Sequence, residues 1–229
     1  SFFIASAVVV ASYNISKSWT KSHPSHQTLS VTGLGTRDFT SDLIVWRASY
    51  IRNAPTLAEA NRQIKSDNDL VKKFLIKHGV NENEISFTTV QVNRNYRTLY
   101  NTQGNVSGTE FDGFGLSQMV VVESKNPVTV ERMSSEVSGL IEQGVEFTAQ
   151  EPDYYYTKLK DLKIELLKQA TEDAYQRAET ISANAKSSVG SLKNASMGIF
   201  QITGQNSNED YSWGGSFNTK AKYKTASIT

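Results

Sequence analysis

The sequence predicts an α+β fold: an antiparallel sheet carrying two helices, extended by a long third helix and two C-terminal strands. Three observations lead there. Segments with two-residue alternation and segments with helical period follow one another in the order strand, helix, strand, strand, helix, strand. Gly79 and Gly144 stand where the first two helical patterns stop. Apolar residues then recur at three- and four-residue steps from 156 to 189.

Composition narrows the function classes. The chain has 229 residues, 38% of them hydrophobic, which supplies a packed core for one large domain or two small ones. A formal net charge of +1 lacks the basic field that phosphate neutralisation requires, so nucleic acid is not an expected partner. Cysteine is absent, which excludes disulfides, thiolate zinc sites and cysteine nucleophiles while leaving the compartment open.

The first 16 residues read as a membrane anchor or the remnant of a signal segment, residues 17–27 as a polar tether, and residues 28–229 as the folded domain. Phe2, Phe3, Ile4, Val8, Val9 and Val10 make an uncharged stretch, and Trp19 follows among lysines as interfacial residues do. About ten residues of helix cover roughly 15 Å, against roughly 30 Å of hydrocarbon. The stretch does not span alone and is expected to be the trailing part of a signal anchor or signal peptide. Ala5-Ser6-Ala7 also fits a small-residue cleavage site, and Val8 to Val10 would equally suit a buried first element.

Along the domain, residues 28–31 form a short strand ending at Gly33-Leu34-Gly35, and residues 42–51 alternate with Ile44, Trp46, Ala48 and Tyr50 on one face, so the two are expected to pair. Pro55 and Thr56 open a helix whose inner positions are Leu57, Ala60, Ile64, Val71, Phe74 and Leu75. Residues 84–97, rich in β-branched and aromatic types, and residues 111–123 form an antiparallel pair. The polar connection 98–110 is longer than a tight hairpin requires and reads as an exposed flap. A second helix follows Pro127 with Val130, Met133, Val137, Leu140 and Ile141 inward, and 145–149 returns as a strand. This βαββαβ succession is ferredoxin-like, with both helices on one face of the sheet. The third helix, 156–189, is thin-faced, and its alanines permit close approach to a neighbour. A strand at 195–202, a loop at 203–218 and a strand from 219 close the chain.

Several stretches, in this order and spacing, resemble the SIMPL-domain family of bacterial exported and envelope proteins. They are Leu29 to Thr36, the helix start at Ala58 to Asn61, Lys77-His78-Gly79-Val80 leading to Ile85 through Thr89, Phe114 to Val122, Ile141 to Gly144, and Ala170 through Glu179. The family's usual Pro after the first strand is replaced by Arg37-Asp38-Phe39-Thr40, and of its Pro-x-Tyr only Tyr96 is kept. The resemblance implies an exported, often periplasmic α+β protein without established enzymatic activity, with ring-forming homo-oligomers and stress-associated members among its relatives, and no catalytic residues to carry over.

Candidate sites are few. Gly33-Leu34-Gly35 precedes a strand, whereas a phosphate loop leads into a helix, so a turn between strands is expected. His23 and His26 lie in the tether without further ligands, and His78 is placed to cap carbonyls, so no metal is expected. No nucleophile elbow occurs, and Glu172 and Asp173 point to different sides of a helix; neither catalytic residue nor cofactor is expected. Tyr211, Trp213 and Phe217, aromatics in a Gly/Asn/Ser loop, and Tyr154 and Tyr155 at the entrance of the third helix are candidates either for an interface or for covering the core. Lys220, Lys222 and Lys224 share one face of the last strand; edge protection is favoured over contact with anionic lipid or polysaccharide.

The expected protein is therefore non-enzymatic, anchored by its N-terminal segment to the inner membrane with its domain in the bacterial periplasm, or alternatively soluble in the periplasm or associated with the outer envelope, and its partner is itself, in a homo-oligomer that is ring-shaped or channel-like. The alternative is a ligand-binding or chaperone-like module linked to stress tolerance, using the flap and the aromatic loop.

Overall fold

The computed structural model describes residues 12, 28–209, 212 and 214–229. Among the described residues the chain forms two antiparallel sheets and four helices.

The larger sheet is built on β2 (Leu43–Ala54) and β5 (Val106–Ser124). They pair antiparallel from Ile44↔Ser124 to Ala54↔Phe114. On the far side of β5 lie β3 (Ile85–Phe87) and β4 (Gln91–Tyr100), and on the far side of β2 lie β6 (Phe147–Ala149) and β7 (Asp153–Tyr155). The even-numbered positions Ile44, Trp46, Ala48 and Tyr50 of β2 and Leu116, Val120 and Val122 of β5 are buried, as alternation along a one-sided sheet requires. Residues of opposite parity, such as Arg47, Ser49, Met119 and Val121, stay partly exposed.

Three helices cover the buried face. In α1 (Leu57–Lys77) the Thr56 side chain accepts from the Glu59 N–H, and Ala60, Ile64, Val71, Phe74 and Leu75 turn inward. Gly79, at φ +90°, lets the chain leave the helix. The second predicted helix is two short ones, α2 (Pro127–Ser135) and α3 (Ser138–Glu142). The hydroxyls of Ser134 and Ser135 donate to the carbonyls of Glu131 and Arg132, and this local bonding competes with helix continuation. Val130, Met133 and Leu140 are buried as predicted, whereas Ile141 is exposed.

The strand predicted over 84–97 is interrupted at Thr88 to Val90. Thr88 bonds Met119 through its own N–H and accepts from the Met119 N–H with its hydroxyl, so a side chain replaces one rung of the ladder. The predicted flap is a correction too: β4 and β5 keep pairing to Tyr100↔Val106. Only Asn101 to Asn105 turn, held by the Asn101 carboxamide oxygen, which accepts from the N–H groups of Gln103 and Asn105.

Two further corrections concern the second sheet, ordered β1 (Gly35–Thr40), β9 (Tyr223–Ile228), β8 (Gln201–Gly204). First, β1 pairs with β9 and not with the strand that follows it. Residues 28–34 are unpaired and lie along α4 (Leu159–Asn184), where the Leu34 N–H donates to Asp173 at 2.8 Å. Gly33-Leu34-Gly35 is thus no turn between strands. A Cβ on Gly33 would lie 1.9 Å from the Ala170 carbonyl oxygen, and one on Gly35 would lie 2.3 Å from that of Leu166. Second, β9 begins at Tyr223 and is the middle strand, so Lys220 and Lys222 precede it instead of sharing its face, and Lys224 is not edge protection.

Leu162, Leu166 and Ala170 of α4 pack with Ile202, Ala226 and Ile228 into a core separate from the larger one. The chain passes between the sheets at Ser41 and Asp42, whose N–H groups donate to the carbonyls of Lys222 and Tyr155. The predicted long helix stops at Asn184 instead of 189, and the predicted strand at 195–202 begins only at Gln201.

Gly35→Ala forces the smaller sheet away from α4. The expected loss is about 1–3 kcal/mol, as in other overpacked sites, measured by denaturant titration; unchanged stability would show that the two backbones are not in contact.

Candidate functional site

Three regions gather polar or exposed apolar side chains. The first joins the sheets. The Lys220 ammonium lies 2.8 Å from an Asp153 oxygen, Lys222 lies 2.9 Å from Glu131, and Lys224 donates to the Tyr154 carbonyl at 2.5 Å. Arg47 completes the cluster at 3.0 Å from Asp153, and the Tyr154 hydroxyl donates to Glu131 at 2.9 Å. All three lysines of the alternating set are therefore used internally. Lys224 is 3% exposed. Burial pushes its pKa down to about 8, although Asp153 and Glu209 act in the opposite direction. Burial by itself would raise the Asp153 carboxyl, but bonds from Lys220 and Thr219 and the charges of Lys220 and Arg47 leave it below its ordinary value. The Tyr154 phenol is pushed up to about 12 by burial and by Glu131. These groups tie β7 and α2 to the chain around β9 through direct polar contacts.

A second polar group lies in the larger core. Asp67, 2% exposed on the inner stripe of α1, receives both Nε and Nη2 of Arg52 at 2.5 and 2.7 Å. Arg52 also donates to the Gly144 carbonyl, and the Tyr50 hydroxyl bonds Asn68. Burial, then the charge of Asp67, raises the Tyr50 phenol. The bidentate pair fixes α1 against β2 and the end of α3. Asp67 falls on an apolar period, which was a legible signal for a buried charge, and sequence reasoning passed over it.

The exposed region is the ribbon formed by β4 and the first half of β5. The ten-residue strand β4 pairs with β5 alone, and among the described residues its outer edge has no strand beside it. Val92, Tyr96, Leu99, Tyr100, Val106 and Phe111 are exposed, Tyr100 and Val106 by about two thirds (65% and 66%). Tyr96, Phe111 and Phe114 stack edge to face with centroids 5.9 and 5.2 Å apart, and Phe114 continues into the larger core. At the ribbon's base, Leu57, Ala58, Asn61, Val90, Val92 and Leu116 line a mostly apolar groove of about 550 Å³. Gly113 sets the bend there: it has φ +93°, and a Cβ would lie 2.5 Å from the Ala54 carbonyl oxygen. A further apolar row, Ile164, Leu167 and Tyr175, is exposed on α4, where a solvated face was expected.

Of the other predicted site residues, Phe217 is exposed and lies beside Phe200, with the Lys163 ammonium over both rings. Tyr154 packs against the larger core, and Tyr155 is 37% exposed on the junction strand. His78 bonds the Phe74 carbonyl through Nδ1 at 2.7 Å, the predicted capping contact. Tyr211, Trp213, His23, His26 and the anchor residues Phe2, Phe3, Ile4, Val8, Val9, Val10 and Trp19 lie outside the described residues. Among the described residues no helix is long and apolar enough to cross a membrane, and no three metal-ligating side chains converge.

This fold carries the SIMPL pattern over residues 29–227, and the chain belongs to that family, described as a protein of unknown function (DUF541). No curated protein matches the chain. Among solved structures, the de novo designed protein Foldit4 is similar at 17% identity over 47% of this chain and 93% of its own, with a TM-score of 0.21, which is too low to carry an argument.

The Lys224 burial has a pH consequence. Its folded pKa lies below the unfolded value of about 10.4, so between those values the unfolded chain binds more protons and stability rises with pH. Wild type is therefore expected to gain stability relative to Lys224→Met as pH is raised from about 8 to about 10. Thermal unfolding of the pair at each pH tests this, and a constant difference would show that Lys224 titrates normally.

Removing Arg52 leaves the Asp67 carboxylate buried without its partner. Arg52→Met is expected to cost roughly 3–5 kcal/mol, while the double variant with Asp67→Leu recovers most of the loss; chemical denaturation of both reads the difference.

Proposed function

We propose that this is a non-enzymatic envelope protein, tethered to the inner membrane through its N-terminal segment, whose domain self-associates on the periplasmic side into a closed homo-oligomer. The observation that carries the proposal is the β4–β5 ribbon. It presents an unpaired strand edge and a row of exposed aromatic and aliphatic side chains, which soluble monomers blunt or cover. The apolar row on α4 adds a second surface of the same kind. Two different surfaces of one chain meeting in neighbouring copies make a head-to-tail contact, which closes into a ring when the rotation per subunit allows it. In this reading the larger sheet is the ferredoxin-like unit, an assignment supported by the antiparallel order β3-β5-β2-β6 and by helices on one face. The absence of an enzymatic role is inferred from the use of the perturbed groups Lys224, Tyr154, Asp153 and Tyr50 in internal contacts.

The groove at the ribbon's base supports a second reading, capture of an extended peptide along the β4 edge with an apolar side chain seated against Leu57 and Val92.

Tyr100→Thr with Val106→Thr removes exposed side chains and should leave thermal stability within about 2 °C of wild type. Under the assembly reading its native mass in detergent falls to that of one chain. An unchanged multimer would move the interface away from the ribbon tip. Under the peptide reading Leu57→Lys abolishes peptide binding and leaves the mass unchanged.

A further inference from the structure

Beyond Arg94 and Phe114 the larger sheet narrows to two strands, and both of their outer sides are bare. β2 runs beside β5 only between Phe114 and Ser124, on the side away from β4, and ends at Ala54. Residues 106–113 therefore have β4 on one side and, among the described residues, no strand on the other; residues 91–100 of β4 have β5 on one side only. Eight residues of strand reach about 27 Å. A two-stranded ribbon of that length has no interior of its own and is marginal in water.

The two bare edges complement each other. Residues 91–100 carry Arg94 and Arg97 and no acid, whereas residues 106–113 carry Glu110 and Asp112 and no base. Arg97 and Glu110 meet across the ribbon at 2.7 Å. Arg94 and Asp112 have no ion-pair partner among the described residues. Lysine and proline, two usual protections of a free edge, are absent from residues 91–113. The register shifts between Arg94 and Tyr96 and between Leu99 and Tyr100, with the positive φ of Gly113, add twist and curvature instead. Direction matches too. Because β4 and β5 are antiparallel, a copy rotated about an axis along the ribbon brings its β5 antiparallel to the β4 of its neighbour.

We infer that the ribbons of neighbouring copies join edge to edge, β4 of one copy against residues 106–113 of the next, and that the ring closes as a β-barrel to which each copy gives two strands. Closure leaves neither edge unpaired, and it sets the basic strand of every copy between two acidic ones. The wall has two unlike faces: Tyr96 with Phe111 and Thr98 with Thr109 lie on one, Arg97 with Glu110 and Leu99 with Gly108 on the other. The inference rests on the self-assembly reading and names the surface through which copies join.

The chain contains no cysteine, so single introduced thiols report on neighbours. Full chains with Thr98→Cys are co-expressed with full chains carrying Ser107→Cys, Thr109→Cys or Phe111→Cys, then purified in detergent and oxidised. Edge-to-edge joining gives disulfides between the two kinds of chain for at least one of the three β5 positions, and none between two Thr98→Cys chains. Links between Thr98→Cys chains would overturn the head-to-tail order. A multimeric particle without mixed links would overturn the shared sheet and leave self-assembly standing, while a monomeric particle would overturn both. Arg94→Glu is expected to lower the multimeric fraction about tenfold, and adding Asp112→Arg to restore it; a double variant no better than the single one would overturn the charge match between the edges.

Discussion

Residues 44–54 of β2 pair in unbroken register with residues 114–124 of β5, and this ladder fixes the position of everything else. It sets the parity that sends Trp46, Tyr50, Val120 and Val122 towards the helices. Because a slip by one residue would exchange the two faces of either strand, the register is determined by burial as much as by hydrogen bonding. The outer edge of β2 then receives β6 and β7, and the outer edge of β5 receives β3 and β4. β7 is the short piece on which the smaller sheet is fastened, and β4 is the long piece that leaves the body of the protein.

The two polar clusters show opposite solutions to burying charge. Arg52 and Asp67 meet in a planar, doubly hydrogen-bonded pair, so the carboxylate keeps two strong donors where water cannot reach it. Lys224 has no carboxylate in hydrogen-bonding contact and donates to a carbonyl oxygen, so desolvation dominates and its charge is held weakly. The first arrangement fixes a helix on a sheet. The second gives one of the contacts between the sheets to a group whose charge burial disfavours.

Much of the fold was readable from residue periodicity. Ile44 to Tyr50, the α1 stripe of Ala60, Ile64, Val71, Phe74 and Leu75, and Leu162, Leu166 and Ala170 of α4 fall on the buried sides that their spacing predicts, whereas Leu57, expected on the same stripe, is exposed in the first turn of α1. Local chemistry hid the rest. Ser134 and Ser135 divide one predicted helix, and Thr88 interrupts one strand with its hydroxyl; the hydrophobic pattern runs through both places without a mark. The partner of β1 was not legible either, because pairing between residues 35–40 and 223–228 depends on a contact far along the chain, while proximity in sequence suggests β2. Gly33 and Gly35 looked like a turn because close approach and tight turning both call for glycine, and only the position of α4 separates the two causes. The ribbon was half legible: length and polarity announced an exposed connection, but Tyr100 and Val106, which keep it paired, lie inside the stretch read as a loop.

The separation of the interior into a large and a small cluster has a further consequence for motion. Among the described residues the larger contains nineteen buried residues and the smaller six. Six buried side chains sustain little cooperativity by themselves, so the sheet containing β9 belongs to the least protected part of the molecule while the ladder around β2 opens only with global unfolding. Backbone amides of residues 223–228 therefore trade their protons with solvent through brief partial openings, long before those of residues 44–54 do.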